Sequence, residues 1–353
     1  MKRVVYQNKI VFFLLFLASL LITSVALYVL PERFFYDAKL IVTDPHGEEG
    51  WIGSYPLIML FYKLTMLGKL PLNVVGILQL LVYFFILYQI GVPKDFEKPT
   101  LKNSVVYLAF LMIAIFIAMP SKEFLTYIFI AHLLYVFRHR QINFQLSWLY
   151  VMAGFVVFGV FFRPYFALVP VLTTILYFIS KIKYPNRILG LIFNGLLMIS
   201  LFSITHYLLK GEFFSEQARI LVNSQRTADE DANSMIVPPF ENGSWWGEIL
   251  DNFYAFFPVN FPITEVKHFL SPQILMFIVW QIVLIWILLV RFSWVLKDRK
   301  NYRLELWLFL ILISYLVIQA AFEPDLGSAV RHKIGVFPLL YYLLYYDDFK
   351  RKV

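Results

Sequence analysis

Four polar interruptions in an otherwise apolar chain hold most of the residues able to do chemistry. The richest is Phe322-Glu323-Pro324-Asp325-Leu326-Gly327-Ser328-Ala329-Val330-Arg331-His332-Lys333, where two carboxylates precede three consecutive basic-type side chains. Arg331 and Lys333 suit phosphate oxygens, the guanidinium as a bidentate fork and the ammonium as a point charge. His332 titrates near neutrality and can carry a proton. Internal pairing of these bases with Glu323 and Asp325 would neutralise them equally well. Met119-Pro120-Ser121-Lys122-Glu123-Phe124 places a lysine and a glutamate between two nearly continuous apolar runs. Ions at membrane depth are costly and usually functional, so Lys122 reads as a phosphate holder and Glu123 as its partner or as an acid or base. The same residues also read as a helix start capped by Ser121, with Glu123 at the positive helix end. Phe161-Phe162-Arg163-Pro164-Tyr165 isolates one guanidinium, either a phosphate ligand or a snorkelling side chain near a helix end. Lastly, Pro31-Glu32-Arg33-Phe34-Phe35-Tyr36-Asp37-Ala38-Lys39 offers Asp37 as a general base toward a hydroxyl, with Arg33 beside it, or else a solvated loop anchored by aromatics.

The elements that must position these residues are membrane helices. Of 353 residues, 60% are hydrophobic and 15% charged, and the mean hydropathy is +0.70; soluble domains average about 25% charged residues. Crossing the hydrocarbon takes about 20 apolar residues. The chain offers such segments at 10–30, 72–91, 104–119, 122–137, 147–162, 165–180, 188–209, 271–291, 304–321 and 333–346. The first follows Lys2, Arg3 and Lys9 with no small-residue cleavage site after it, and is expected to be a retained anchor. Cysteine is absent, which excludes disulfides and thiolate ligands. Asp44 and His46 alone do not make a metal site, and neither a metal nor any other cofactor is expected.

Short loops rich in Lys and Arg stay cytoplasmic, which puts the N-terminus inside. Ten crossings then leave 19 basic and 6 acidic residues inside against 12 and 17 outside, a balance of +13 and −5 that recovers the net +8. If residues 53–69, which contain Pro56, Lys63 and Gly68, also spanned, the lysine-rich loops at 94–102 and 181–187 would face outward. They are therefore expected to form an interfacial or re-entrant helix on the outer face. The basic balance reports topology and anionic lipid rather than nucleic acid. The expectation is an all-α integral membrane protein: one domain over 1–353, a polytopic bundle of about ten transmembrane helices, and outer loops at 31–71 and 210–270. The second loop carries an aromatic group, Phe240, Trp245, Trp246, Phe253, Tyr254, Phe256, Phe257 and Phe261, suited to a headgroup belt or to a sugar- or lipid-docking surface.

An acidic first outer loop, an interfacial helix behind it, many spans and the hairpins Pro-Ser-Lys-Glu and Gly-x-x-x-Arg-His-Lys resemble the integral-membrane glycosyltransferases of the GT-C superfamily. Within it the chain looks most like Wzy-type oligosaccharide repeat-unit polymerases of O-antigen and capsule. The resemblance implies a bacterial inner-membrane enzyme, both termini cytoplasmic, that moves a glycan from undecaprenyl pyrophosphate to the terminal sugar of another lipid-linked unit at the outer face. Its partners would be undecaprenyl-linked oligosaccharide, membrane lipid and a chain-length regulator. Asp37 takes the place of the superfamily's first-loop acid, although the paired acids of several branches are missing; Glu123, Glu323 and Asp325 are rivals. Arg163, Arg331 and Lys333 fall where polymerases use outer arginines on the carrier. A transferase adding one sugar from a polyprenyl phosphate, and a flippase or transporter, are the alternatives. The near absence of charge inside the spans speaks against the last.

Overall fold

The computed structural model describes residues 2–139, 143–226, 235–240, 243–263 and 272–350. Among them the chain is helical, apart from one isolated antiparallel bridge between Met235 and Asp325. The helices are α1 Lys2–Val29, α2 Tyr36–Thr43, α3 Ser54–Leu64, α4 Leu72–Ile90, α5 Leu101–Phe116, α6 Glu123–His139, α7 Phe144–Phe161, α8 Leu168–Ile179, α9 Arg187–Lys210 and α10 Leu221–Arg226. They continue with α11 Trp245–Asn260, α12 Pro272–Lys297, α13 Arg303–Phe322, α14 Leu326–Gly335, α15 Phe337–Leu344 and α16 Tyr346–Phe349.

Six of them, α1, α4, α7, α9, α12 and α13, are long and apolar enough to cross a membrane. Of the other apolar segments, α5 and α6 have about the expected length, at 16 and 17 residues, whereas α8 and α15 come out shorter, at 12 and 8. Pro164 opens a separate turn of 3-10 helix before α8, and the segment at 333–346 is interrupted at Val336, where α14 ends and Pro338 starts a new helix. α3 has 11 residues, about 16 Å of helix and half of what a crossing needs. On α1 the side chains of Leu14, Leu17, Leu21 and Val25 form an exposed stripe at helical spacing. A patch of that kind faces lipid rather than water.

The chain divides into two compact units, Met1–Ala167 with Arg331–Val353, and Leu168–Val330. In the first, α1 packs on α4 and α5. Ser19 and Thr23 donate to the carbonyls of Phe110 and Ala114, so the hydroxyls inside this apolar contact are satisfied. α15 packs on α4 and α6, and the Tyr341 hydroxyl donates to the carbonyl of Gly91.

In the second unit α13 is the central helix: 94% of its apolar window is buried, and it packs against α8, α9, α11 and α12. A helix that is apolar all round belongs in such a position. Within 210–270, expected to be an outer loop, α11 lies along α9. Asn252 donates to Ser200, and the ring of Phe253 meets Phe193 edge-on. The apolar face Ala255, Phe256 and Val259 is buried, which is what draws this segment against its neighbours. Of the aromatic group, Trp245 and Trp246 stack on each other and stay exposed, while Phe256 is buried.

Candidate functional site

The first unit gathers charged side chains from four distant stretches of chain. Asp37 sits on α2, just after a turn of 3-10 helix started by Pro31. Phe35 and Ala38 on either side of it are buried with Ala26 and Met119, which fixes α2 against the end of α1 and leaves Asp37 between two anchored neighbours. α3 begins at Gly53, whose φ of +107° suits a residue without a β-carbon. The Gly53 amide donates to the carbonyl of Phe161, tying α3 to the end of α7. Ile58 and Tyr62 of α3 are buried with Ile41 and Phe162, and the Tyr62 hydroxyl accepts from the Ser121 amide. One short helix thereby holds the turns that carry Tyr55, Lys122 and Arg163.

Two carboxylates organise the cluster. Asp37 accepts from Arg331 Nη1 at 2.5 Å through one oxygen and from the Tyr55 hydroxyl at 2.8 Å through the other. The Lys122 ammonium lies 3.6 Å above the centroid of the same tyrosine ring. Glu123 accepts from Arg163 Nη2 at 2.7 Å, and His332 Nε2 lies 3.3 Å from the same glutamate oxygen. A β-carbon on Gly335 would come 3.4 Å from Glu123 Cγ, so the glycine allows the close approach of α14.

The two pairs differ in access. Asp37 and Arg331 keep 31% and 27% of their side-chain surface, whereas Glu123 and Arg163 keep 3% and 5%. Burial works to raise the Asp37 carboxyl, but Lys122, Arg331 and the Tyr55 hydrogen bond outweigh it and hold it below the ordinary carboxylate value. Burial, reinforced by the charge on Asp37, raises the Tyr55 phenol well above its ordinary value, so it stays a donor. Three fixed cations, Lys122, Arg163 and Arg331, stand against two carboxylates. Among the described residues of the cluster positive charge thus outnumbers negative, a balance that suits an anion.

Of the residues singled out in the sequence, Asp37, Lys122, Glu123, Arg163, Arg331 and His332 thus meet in one place. Lys333 is buried, with 1% of its surface exposed. The side chain of Arg33 lies outside the described residues. Glu323 and Asp325 belong to the second unit. Asp325 caps α14 there, taking the Ser328 amide and hydroxyl at 2.8 Å each. Asp44 accepts from the amides of Glu48 and Glu49, which makes it a loop former. Among the described residues no group of three or more metal-ligating side chains is present. Tyr55 had no distinguishing signal in a chain with 22 tyrosines.

No protein-family model, curated protein or solved structure matches the chain.

Proposed function

We propose that the first unit binds a lipid-linked pyrophosphate and catalyses glycosyl transfer from it, the protein being a repeat-unit polymerase of the kind it resembles. The observation that carries this reading is the pairing of an accessible carboxylate, Asp37, with Arg331 from the other end of the chain, beside a second, buried carboxylate–arginine pair. Arg331 is paired with Asp37. An incoming pyrophosphate competes for Arg331 and Lys122, and each cation it draws away makes Asp37 a better proton acceptor. Asp37 then takes the proton of the acceptor hydroxyl and the freed oxygen attacks the anomeric carbon. The bond from that carbon to the pyrophosphate oxygen breaks, its electron pair leaving with the carrier. Lys122, Arg163 and Arg331 stabilise the departing charge. Glu123 keeps Arg163 and His332 in place rather than reacting, since its shared oxygen is already engaged by both.

The finer topology belongs to the same proposal: about ten crossings of the bacterial inner membrane, termini inside, the cluster at the outer face. The 16 and 17 residues of α5 and α6 give helices of about 24–26 Å against about 30 Å of hydrocarbon. Their connecting turn, with Lys122 and Glu123, then sits slightly below the surface, where a lipid phosphate enters sideways.

Surface-glycan length, run as a ladder in a deletion strain carrying the native chain, Asp37→Asn or Arg331→Ala, tests the reading, with expression and folding of each checked. Collapse to a single repeat in the deletion and with the folded variants supports it. A ladder of normal length lacking one branch sugar would point to a single-sugar transferase. Lipid-linked units accumulating on the inner face would point to a flippase.

A further inference from the structure

The second unit buries a polar cluster that the proposed transfer does not use. Glu248 and Asp251 lie three residues apart on α11 and so share a face. Both are nearly inaccessible, at 3% and 2% exposed, and Arg219, at 0%, lies within electrostatic reach of both. Glu323, 2% exposed, is a further carboxylate acting on Arg219. No charged side chain of α9 joins them; that helix contributes the hydroxyls of Ser200 and Ser203.

The hydrogen-bond donors are divided unequally. Glu248 accepts from Ser203 Oγ at 2.5 Å, from Asn252 Nδ2 at 3.1 Å and from the Ser215 hydroxyl, so its charge is stabilised three times over. Arg219 Nη2 donates to the carbonyls of Ala320 and Ala321, at the negative end of the α13 dipole. Among the described residues its Nε and Nη1 have no protein partner, and neither does Oδ1 of Asp251. With Glu248 ionised and Arg219 charged, a second ionised carboxyl on the same face is in excess. A buried carboxyl without donors is cheapest as the neutral acid.

We propose that Asp251 is a proton-binding site, an acid–base centre separate from the first unit, which exchanges its proton with water bridging it to Arg219. A proton from hydronium forms the Oδ1–H bond and returns to water when the acid ionises. Orphaned buried donors and acceptors of this kind are ordinarily satisfied by internal water. Burial, reinforced by Glu248 and opposed by Arg219, pushes the Asp251 carboxyl up to about 6, so the site changes charge close to neutrality.

Infrared titration of the purified full chain in lipid nanodiscs tests this without any assay of glycan transfer, so its outcome is independent of the function proposed above. The carbonyl-stretch band of a buried protonated carboxyl should grow as pH falls through about 6, and shift when the aspartates carry carbon-13. It should vanish in Asp251→Asn and survive in Glu248→Gln. Asp251→Glu, which keeps an acid in place, should move the band out of the aspartate-labelled set, covering the case where the asparagine variant does not fold. A band lost in Glu248→Gln and indifferent to aspartate labelling would give the proton to Glu248 and overturn the assignment, as would the absence of any titrating band.

Discussion

The ring of Tyr55 lies under the ammonium of Lys122 while its hydroxyl donates to Asp37, so one aromatic side chain sets both a cation and a carboxylate of the cluster. The two functions separate by substitution. Tyr55→Phe keeps the ring face and removes a hydrogen bond to a charged group, a loss of about 1.5–3 kcal/mol and about 10- to 100-fold in rate. Tyr55→Leu should lose a further 0.5–2 kcal/mol or so from the cation–ring contact. Ladder yield from equal amounts of the two folded variants, read against the native chain, checks the order.

The Glu123–Arg163 pair is the buried one, and breaking it leaves a charge without its partner. Either Glu123→Gln or Arg163→Met should destabilise the protein by about 3–5 kcal/mol. The double variant should lose clearly less than the two singles together, because no lone charge remains. Unfolding in detergent, followed as a double-mutant cycle, measures the coupling; strict additivity would mean the pair contributes nothing to the fold.

Asp37 titrates below its unfolded value, so the stabilisation it provides is complete above that value and disappears as pH falls through the lowered native one. The stability difference between the native chain and Asp37→Asn should therefore be constant from neutrality down to about pH 3.9, then shrink. Melting temperatures of both proteins across that interval give the sign directly. A difference that instead grows in favour of the native chain as pH falls from neutrality would mean the carboxyl is raised rather than lowered.

Gly159 allows the turn that presents Arg163. A β-carbon there would lie 2.5 Å from the amide nitrogen of Ala167 and 2.8 Å from its β-carbon, so backbone must move. Gly159→Ala should cost about 1–3 kcal/mol of overpacking and reduce activity much as Arg163→Ala does. Combining the two should be little worse for activity than Arg163→Ala alone, which a comparison of ladder yields would show.

The helical nature of the chain and most of the first-unit cluster were readable because charge in an apolar chain stands out. Lys122, Glu123, Arg163 and Arg331 each interrupt long hydrophobic runs, and the cost of such interruptions is what gives them meaning. Other features depend on tertiary contacts. α11 reads as loop because Glu248, Asp251 and Pro258 lower its hydropathy, and only the donors from Ser203, Ser215 and Asn252 make its burial affordable. Asp325, with Ser328 three residues on, has the spacing of a helix cap, yet its nearness in sequence to three bases drew attention to its charge instead. Val336 breaks the last helix through its own backbone angles, next to a proline that the pattern alone could not assign to a start or a kink.

Because Asp37 and Arg331 are 294 residues apart, the order of synthesis keeps them separate for some time. At about 5–20 residues per second, roughly 15–60 s pass between the appearance of the two side chains. During that interval Asp37 stands without its cation, and the emerging chain has helices but no assembled cluster. Completion of the C-terminal helices is thus a timing device. Chains that stop before α14 carry Asp37 without Arg331, and the cluster never forms in them.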